Sequence, residues 1–218
     1  MPRVSISPIK VGQLSFLILD CPSDTTLPAY LPVLEDHSVT DVVRICEGSP
    51  YDPKPLTDLN IQVHDNMKFQ DGTAPGKDVV ARWLELNDEV FFNSAGRERS
   101  IAVHCVSGIG RAPVLVAISL VEGGMDPLDA IAYIRKVRRG ALNRSQIAFL
   151  DSYKKRKQGF GSSKKTSSSK GNGTLGSTPT SSTAASKGLS NPSDKASESG
   201  PQIEKKKSGF ISKMFGKK

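Results

Sequence analysis

The sequence predicts an α/β domain with a central, mostly parallel sheet flanked by helices and followed by a disordered C-terminal tail. Three observations carry this. Short runs rich in Val, Ile and Leu alternate with amphipathic stretches, three helical segments follow one another after the last such run, and apolar side chains become sparse from residue 159 onward.

The first strand is LSFLILD (14–20), a nearly continuous apolar run of the kind that is buried on both faces. PAYLPVLEDHS (28–38) reads as a modest helix, since Pro28 suits a first turn and Pro32 strains anything longer. TDVVRIC (40–46) and NIQVHD (60–65) are two further strands. GKDVVARWLELNDEVFFNSAG (76–96) is a stronger helix, with Val79, Val80, Trp83, Leu84, Leu86, Val90 and Phe91 on one broad apolar face. RSIAVHC (99–105) is the last strand. A helix from Arg111 to Val121 ends at Gly123 and Gly124. Asp126 is placed to cap the next helix, with Pro127 at its first position and Asp129 in its first turn, and that helix stops at Gly140. Asn143 is placed to cap RSQIAFLDSYKKRK.

Composition divides the chain into a globular part, 1–158, a Ser/Gly/Thr-rich linker, 159–202, and a basic C-terminal segment, 203–218. From 159 onward there are 11 Lys against 3 Asp or Glu, which accounts for the whole net charge of +8. The domain itself is near neutral, which argues against nucleic acid as its partner. Three cysteines, Cys21, Cys46 and Cys105, fit neither a disulfide framework nor zinc-type spacing. No metal or cofactor is called for. No run approaches the roughly 20 apolar residues of a membrane span and no signal peptide is evident, so an intracellular, cytoplasmic location is expected.

The chemistry is concentrated in VHCVSGIGRAPVLV (103–116), which leaves the C-terminal end of a strand, turns through two glycines and enters a helix. Open α/β folds place ligands there. Successive N–H groups of Val106, Ser107, Gly108, Ile109, Gly110 and Arg111 can curl around an anion, with the glycines permitting close approach and the helix dipole adding positive potential. Such a cradle favours the thiolate of Cys105 at its centre and arms it for attack. Arg111 adds a planar fork of donors matched to two phosphate oxygens, and His104 is placed to orient the loop.

HCVSGIGRAP, followed by VLVAISLVEGGM and by IRKVRRGALN, resembles the type IVA protein tyrosine phosphatases, the phosphatases of regenerating liver, over about residues 4–156. The most specific mark is Ala112, where most cysteine-dependent phosphatases carry Ser or Thr. The resemblance implies a dual-specificity-phosphatase-like fold, a phosphocysteine intermediate on Cys105 and phosphoprotein substrates, chiefly phosphotyrosine. It also implies an alternative in which the loop docks a CBS-pair magnesium transport mediator; oligomerisation stays open.

Expelling the substrate oxygen requires a proton donor, and Asp71 in NMKFQDGTAPG is the candidate general acid. The family loop resembles Trp-Pro-Phe-Asp-Asp-Gly; Phe69, Asp71, Gly72 and Pro75 match it, and Met67, Lys68 and Gln70 do not. Ala112 cannot donate a hydrogen bond to the departing thiolate, so a slow second step is expected. Cys46 ends a strand on the side where Cys105 sits, and family members pair the matching cysteine with the catalytic one; a reversible Cys46–Cys105 disulfide and a merely structural Cys46 are the two readings. Cys21, in DCPSD, shows no chemical context and reads as a bystander.

The family usually ends in a prenylated cysteine box. This chain ends in KMFGKK, with no cysteine after Cys105, so prenylation is not expected. Ile203, Phe210, Ile211, Met214 and Phe215 can share a helical face against clustered lysines. That pattern suits adsorption to an anionic membrane surface, and equally a solvated tail or a nuclear-import run.

Overall fold

The computed structural model describes residues 4–161 except 94, 95 and 97. The chain divides into two units, Met1–Ser167 and Ser168–Lys218. Residues 162–218 lie outside the described residues, and with them the second unit, most of the linker 159–202 and the basic segment 203–218.

The sheet has five strands in the order β1-β2-β5-β3-β4. They are β1 (Ile6–Val11), β2 (Leu14–Leu19), β3 (Val39–Arg44), β4 (Gln62–His64) and β5 (Ser100–His104). All neighbours pair in parallel except β1, which runs antiparallel to β2. β1 leaves no strand signal in the sequence, because Pro8 interrupts its alternation. At a sheet edge a missing N–H removes no necessary ladder bond, so Pro8 is tolerated there. Gly12, at φ +58°, opens the tight β1–β2 turn.

The helices are α1 (Leu27–Asp36), α2 (Lys54–Thr57), α3 (Lys77–Asn87), α4 (Arg111–Glu122), α5 (Pro127–Val137) and α6 (Arg144–Ser152). α1 continues through Pro32, contrary to the strain expected of it; Pro32 and Pro28, four residues apart, are both exposed. The segment expected to be helical over 76–96 closes earlier, in a π-helical turn at Asp88–Phe92 that buries both Val90 and Phe91. α2 is too short to leave a periodic signal.

Alternation along the strands divides the core between the two faces of the sheet. Leu17, Leu19, Val42 and Ala102 pack with Leu27, Tyr30 and Leu34 of α1. Phe16, Ile18, Val43, Ile101 and Val103 face α3 to α6, with Trp83 and Phe91 against Phe16 at centroid distances of 5.6 and 5.2 Å. Every residue of α4 is buried, so this helix fills the centre of that layer. Its one buried hydroxyl is satisfied: Trp83 Nε1 donates to Ser119 Oγ at 2.7 Å, and Ser119 Oγ donates to Asn87 Oδ1 at 2.8 Å.

The last two helices start as local sequence dictates. Asp126 accepts from the Leu128 N–H at 2.9 Å, and Asn143 forms a reciprocal capping box with Gln146. Packing runs slightly past residue 158. Phe160 stacks on Phe92 at 5.0 Å, Arg156 bridges Glu122 and Asp88, and the Gly161 N–H donates to Asp88 Oδ1 at 2.8 Å.

Candidate active site

The central strand β5 delivers His104 and then Cys105 to the C-terminal edge of the sheet, and α4 begins at Arg111. Cys105 is 2% exposed at the base of the intervening loop. Gly108 takes φ +66°, and a Cβ there would sit 2.2 Å from the Leu19 carbonyl oxygen, so the loop lies tight against the end of β2. Backbone bonds fasten both flanks: the Cys21 N–H donates to Val106 O at 3.0 Å, and the Leu142 N–H to Ile109 O at 2.8 Å.

Arg111 is buried at the start of α4 and reaches across the loop's mouth. Its Nη1 donates to Phe69 O at 3.2 Å and lies 3.4 Å from Ile45 O. Its Nε is 3.3 Å from Asp71 Oδ1 but has no hydrogen-bond acceptor in line, so the contact is an ion pair without a formed hydrogen bond. A buried guanidinium edge left with unused donor capacity where the loop enters α4 suits an incoming anion. Asp71 itself is largely exposed; its Oδ1 also accepts from the Gly72 N–H at 2.9 Å, a turn helped by Gly72 at φ +74°. Met67, which departs from the family pattern, is buried in the main core and anchors the loop that carries Asp71. Ala112 is fully buried directly behind the loop.

His104 does not touch solvent. Its Nδ1 lies 3.3 Å from the Cys105 carbonyl, which can only accept, so Nδ1 carries the proton and Nε2 accepts from Tyr51 Oη at 2.8 Å. Burial lowers its pKa from 6.5 to about 4 and raises that of the Tyr51 hydroxyl. Above pH 6.5 the imidazole is neutral in both folded and unfolded chains. Between 6.5 and about 4 the unfolded chain takes up the proton first, so stability falls as pH drops through that window. The full contribution of such a shift is about 3 kcal/mol. Denaturant titrations at pH 7, 6 and 5 are expected to show it, and equal stabilities across that series would refute the assignment.

Three sets of supporting contacts to the site have no local sequence signal that specifies their partners. Arg138, buried beyond the end of α5, donates to the carbonyls of Ser5 and Ile18 at 3.2 Å and of Ser107 at 3.1 Å, tying the Cys105 loop to β1 and β2. Gln146 donates to Thr73 O at 3.2 Å and Asn143 to Gly72 O at 2.9 Å, so the cap of α6 holds the Asp71 loop as well. Arg44 pairs with Asp65, its Nε 2.8 Å from Oδ1, and donates to Tyr51 O at 2.9 Å, which fixes the tyrosine under His104. The only sequence signal for Arg138 is an arginine two residues before a helix-stopping glycine, which does not specify a partner.

The cysteines depart from expectation in one respect. Cys21 is not a bystander: its Sγ lies 3.9 Å from Cys46 Sγ, with all three cysteines in the free form. Cys21, Cys46 and His104 bring their ligand atoms within 4.8 Å of one another, a cluster that linear spacing does not reveal.

Fold and loop together define a cysteine-dependent phosphatase. No protein-family model matches the chain. It is 46% identical over 143 residues to the probable protein tyrosine phosphatase type IVA A of Dictyostelium discoideum, covering 66% of this chain and 84% of that protein. It is 43% identical over 150 residues to protein tyrosine phosphatase type IVA 3 of Homo sapiens, covering 68% and 84%. Among solved structures, a putative protein tyrosine phosphatase from Leishmania major superposes with a TM-score of 0.62 at 38% identity, covering 69% of this chain and 99% of that one. The chain belongs to the type IVA protein tyrosine phosphatase family, and its fold is the dual-specificity-phosphatase-like one that the sequence resemblance implies. Among the described residues no helix is long and apolar enough to cross a membrane.

Proposed function

We propose that the protein hydrolyses phosphotyrosine in phosphoproteins through a phosphocysteine on Cys105, with a slow second step. The observation that carries this reading is the contact of Arg111 with Asp71, Nε 3.3 Å from the carboxylate, at the end of the loop whose base is Cys105. The N–H groups from Val106 to Arg111 bind the phosphoryl oxygens, and Arg111 turns from Asp71 to the phosphate as charge builds on the equatorial oxygens. The Cys105 thiolate attacks phosphorus in line with the leaving group while Asp71 protonates the departing phenolic oxygen. Water then attacks the thiophosphate, with Asp71 as base and Cys105 leaving as thiolate.

The rim favours an aromatic ester. Val106 and Ile109 are 60% and 43% exposed on the loop, and Phe69 lies partly buried beside Asp71, so a phenyl ring would meet apolar surface on its way in. The relatives carry the name of protein tyrosine phosphatases, which agrees with that substrate class. Neither the rim nor those names favours the docking alternative with a magnesium transport mediator.

The second step is slow because Ala112 offers the departing thiolate no donor. A hydroxyl there, making one hydrogen bond to a charged sulfur, is worth about tenfold in rate or somewhat more. Rapid-quench kinetics on an aryl phosphate is the test. The wild-type chain is expected to show a stoichiometric burst with phosphate covalently on Cys105, and Ala112→Ser to shorten the life of that species and raise steady-state turnover about tenfold. A wild-type reaction with no burst and no phosphorylated Cys105 would reject the mechanism, and equal lifetimes in the two proteins would reject the role of Ala112.

A further inference from the structure

The three cysteines issue from the C-terminal ends of three adjacent parallel strands. Cys21 follows β2, Cys105 follows the central β5 and Cys46 follows β3. His104 is the registered neighbour of Leu19 on one side and of Arg44 on the other. Sulfurs from the two outer strands nevertheless meet across the end of the middle one, at 3.9 Å, with Cys105 close enough to perturb Cys21 electrostatically. Cys46 is buried at 3% exposure, whereas Cys21 is half-buried and open to an oxidant or an exchange partner.

We propose that Cys21 is the terminal acceptor of oxidation at this site: under peroxide the disulfide that accumulates joins Cys21 to Cys46 and leaves Cys105 as a free thiol. The inference rests on the reading of Cys105 as the nucleophile. Hydrogen peroxide oxidises the Cys105 thiolate to a sulfenic acid and releases hydroxide. The Cys46 thiol displaces water from that sulfur and forms a Cys46–Cys105 bond. Cys21 then attacks the Cys46 sulfur as thiolate, the bond to Cys105 breaks, and Cys105 departs as the thiolate that takes up the proton Cys21 gave up. In balance, two thiols and one peroxide yield one disulfide and two waters.

Geometry allows the last step, since closing from 3.9 Å to a bonded S–S distance needs a movement of about 2 Å, within reach of side-chain rotation. The direction of exchange follows from the two competing thiols. Burial raises the pKa of the Cys21 thiol, so it is a strong nucleophile once deprotonated and a poor leaving group afterwards. Cys105 leaves at the base of the loop that enters α4, near the positive end of the helix dipole. The same sulfurs and His104 would hold a soft metal less readily, because both imidazole nitrogens are engaged, by Tyr51 and by the Cys105 carbonyl.

The experiment uses the full chain, reduced, treated with graded hydrogen peroxide, quenched with a thiol-alkylating reagent and mapped as non-reduced peptides. The expected product is a Cys21–Cys46 linked peptide with Cys105 alkylated, and residual phosphatase activity of at least half after peroxide is removed without reductant. In Cys21→Ser, with unoxidised activity unchanged, the Cys46–Cys105 link or sulfinylated Cys105 should replace it and residual activity should fall at least fivefold below wild type. A wild-type chain that ends as Cys46–Cys105, or in which Cys21 stays alkylated at every peroxide dose, would overturn the proposal. The peptide map needs no turnover: a Cys21–Cys46 bond in a chain that never forms phosphocysteine would defeat the catalytic reading and with it the relay, whereas phosphocysteine together with a Cys46–Cys105 end product defeats the relay alone.

Discussion

Arg111→Lys is expected to lower kcat/KM on an aryl phosphate by roughly 10³-fold while the chain stays folded. The side chain has two tasks that one ammonium cannot share. Its Nη1 donates to Phe69 O and lies near Ile45 O, holding the Asp71 loop against the end of β3, while its Nε edge beside Asp71 Oδ1 has no aligned acceptor. A planar fork can keep one contact as it turns the other edge to phosphate. Lysine offers a point charge on a stem whose donors radiate from a single atom, so it neutralises the phosphate without matching two oxygens or retaining the loop. The loss should therefore be larger for a transition-state mimic than for the ground state. Vanadate affinity is expected to fall in parallel with kcat/KM, and inorganic phosphate affinity by much less. A drop in kcat/KM below tenfold, or equal losses for the two anions, would show that Arg111 serves only as a structural tie.

The parts of this site legible in the sequence are those whose chemistry is local. Cys105, the two loop glycines and Arg111 lie within seven residues, and the helix caps at Asp126 and Asn143 are decided by a side chain and an N–H two or three positions away. Asp71 needed the family loop as a guide, because an Asp-Gly turn is common without chemistry. Lateral strand order was not legible. Nothing in LSFLILD or TDVVRIC says that the strands flank β5 on opposite sides, and that order alone brings Cys21 to Cys46 across 25 positions. Arg138 was hidden for the same reason. Its acceptors lie on β1, β2 and the Cys105 loop, up to 133 positions away, and β1 itself was disguised by a proline that only an edge strand tolerates.

The packing behind the loop leads to the second large effect, Gly108→Ala. A new Cβ would stand 2.2 Å from Leu19 O and 2.5 Å from Arg138 Nη2, and the residue sits at φ +66°. Arg138 is a side chain and can withdraw, but it would release Ser107 O, which it holds at 3.1 Å. Leu19 is the last residue of β2, locked by registered pairing to His104, so its carbonyl cannot retreat without shifting the strand that carries Cys105. The loop must therefore lift, and displacement of reacting groups by about 1 Å is worth roughly 10² in rate. The expected result is a fall in kcat/KM of at least that size, together with a stability loss of about 2–4 kcal/mol from strain and collision. Gly12→Ala separates the two causes. Gly12 has a similar φ of +58° with nothing within 4 Å of a Cβ, so it should lose only about 1 kcal/mol and no activity. If Gly108→Ala matched Gly12→Ala in both measurements, the close seating of the loop against β2 would have no part in holding the phosphate site.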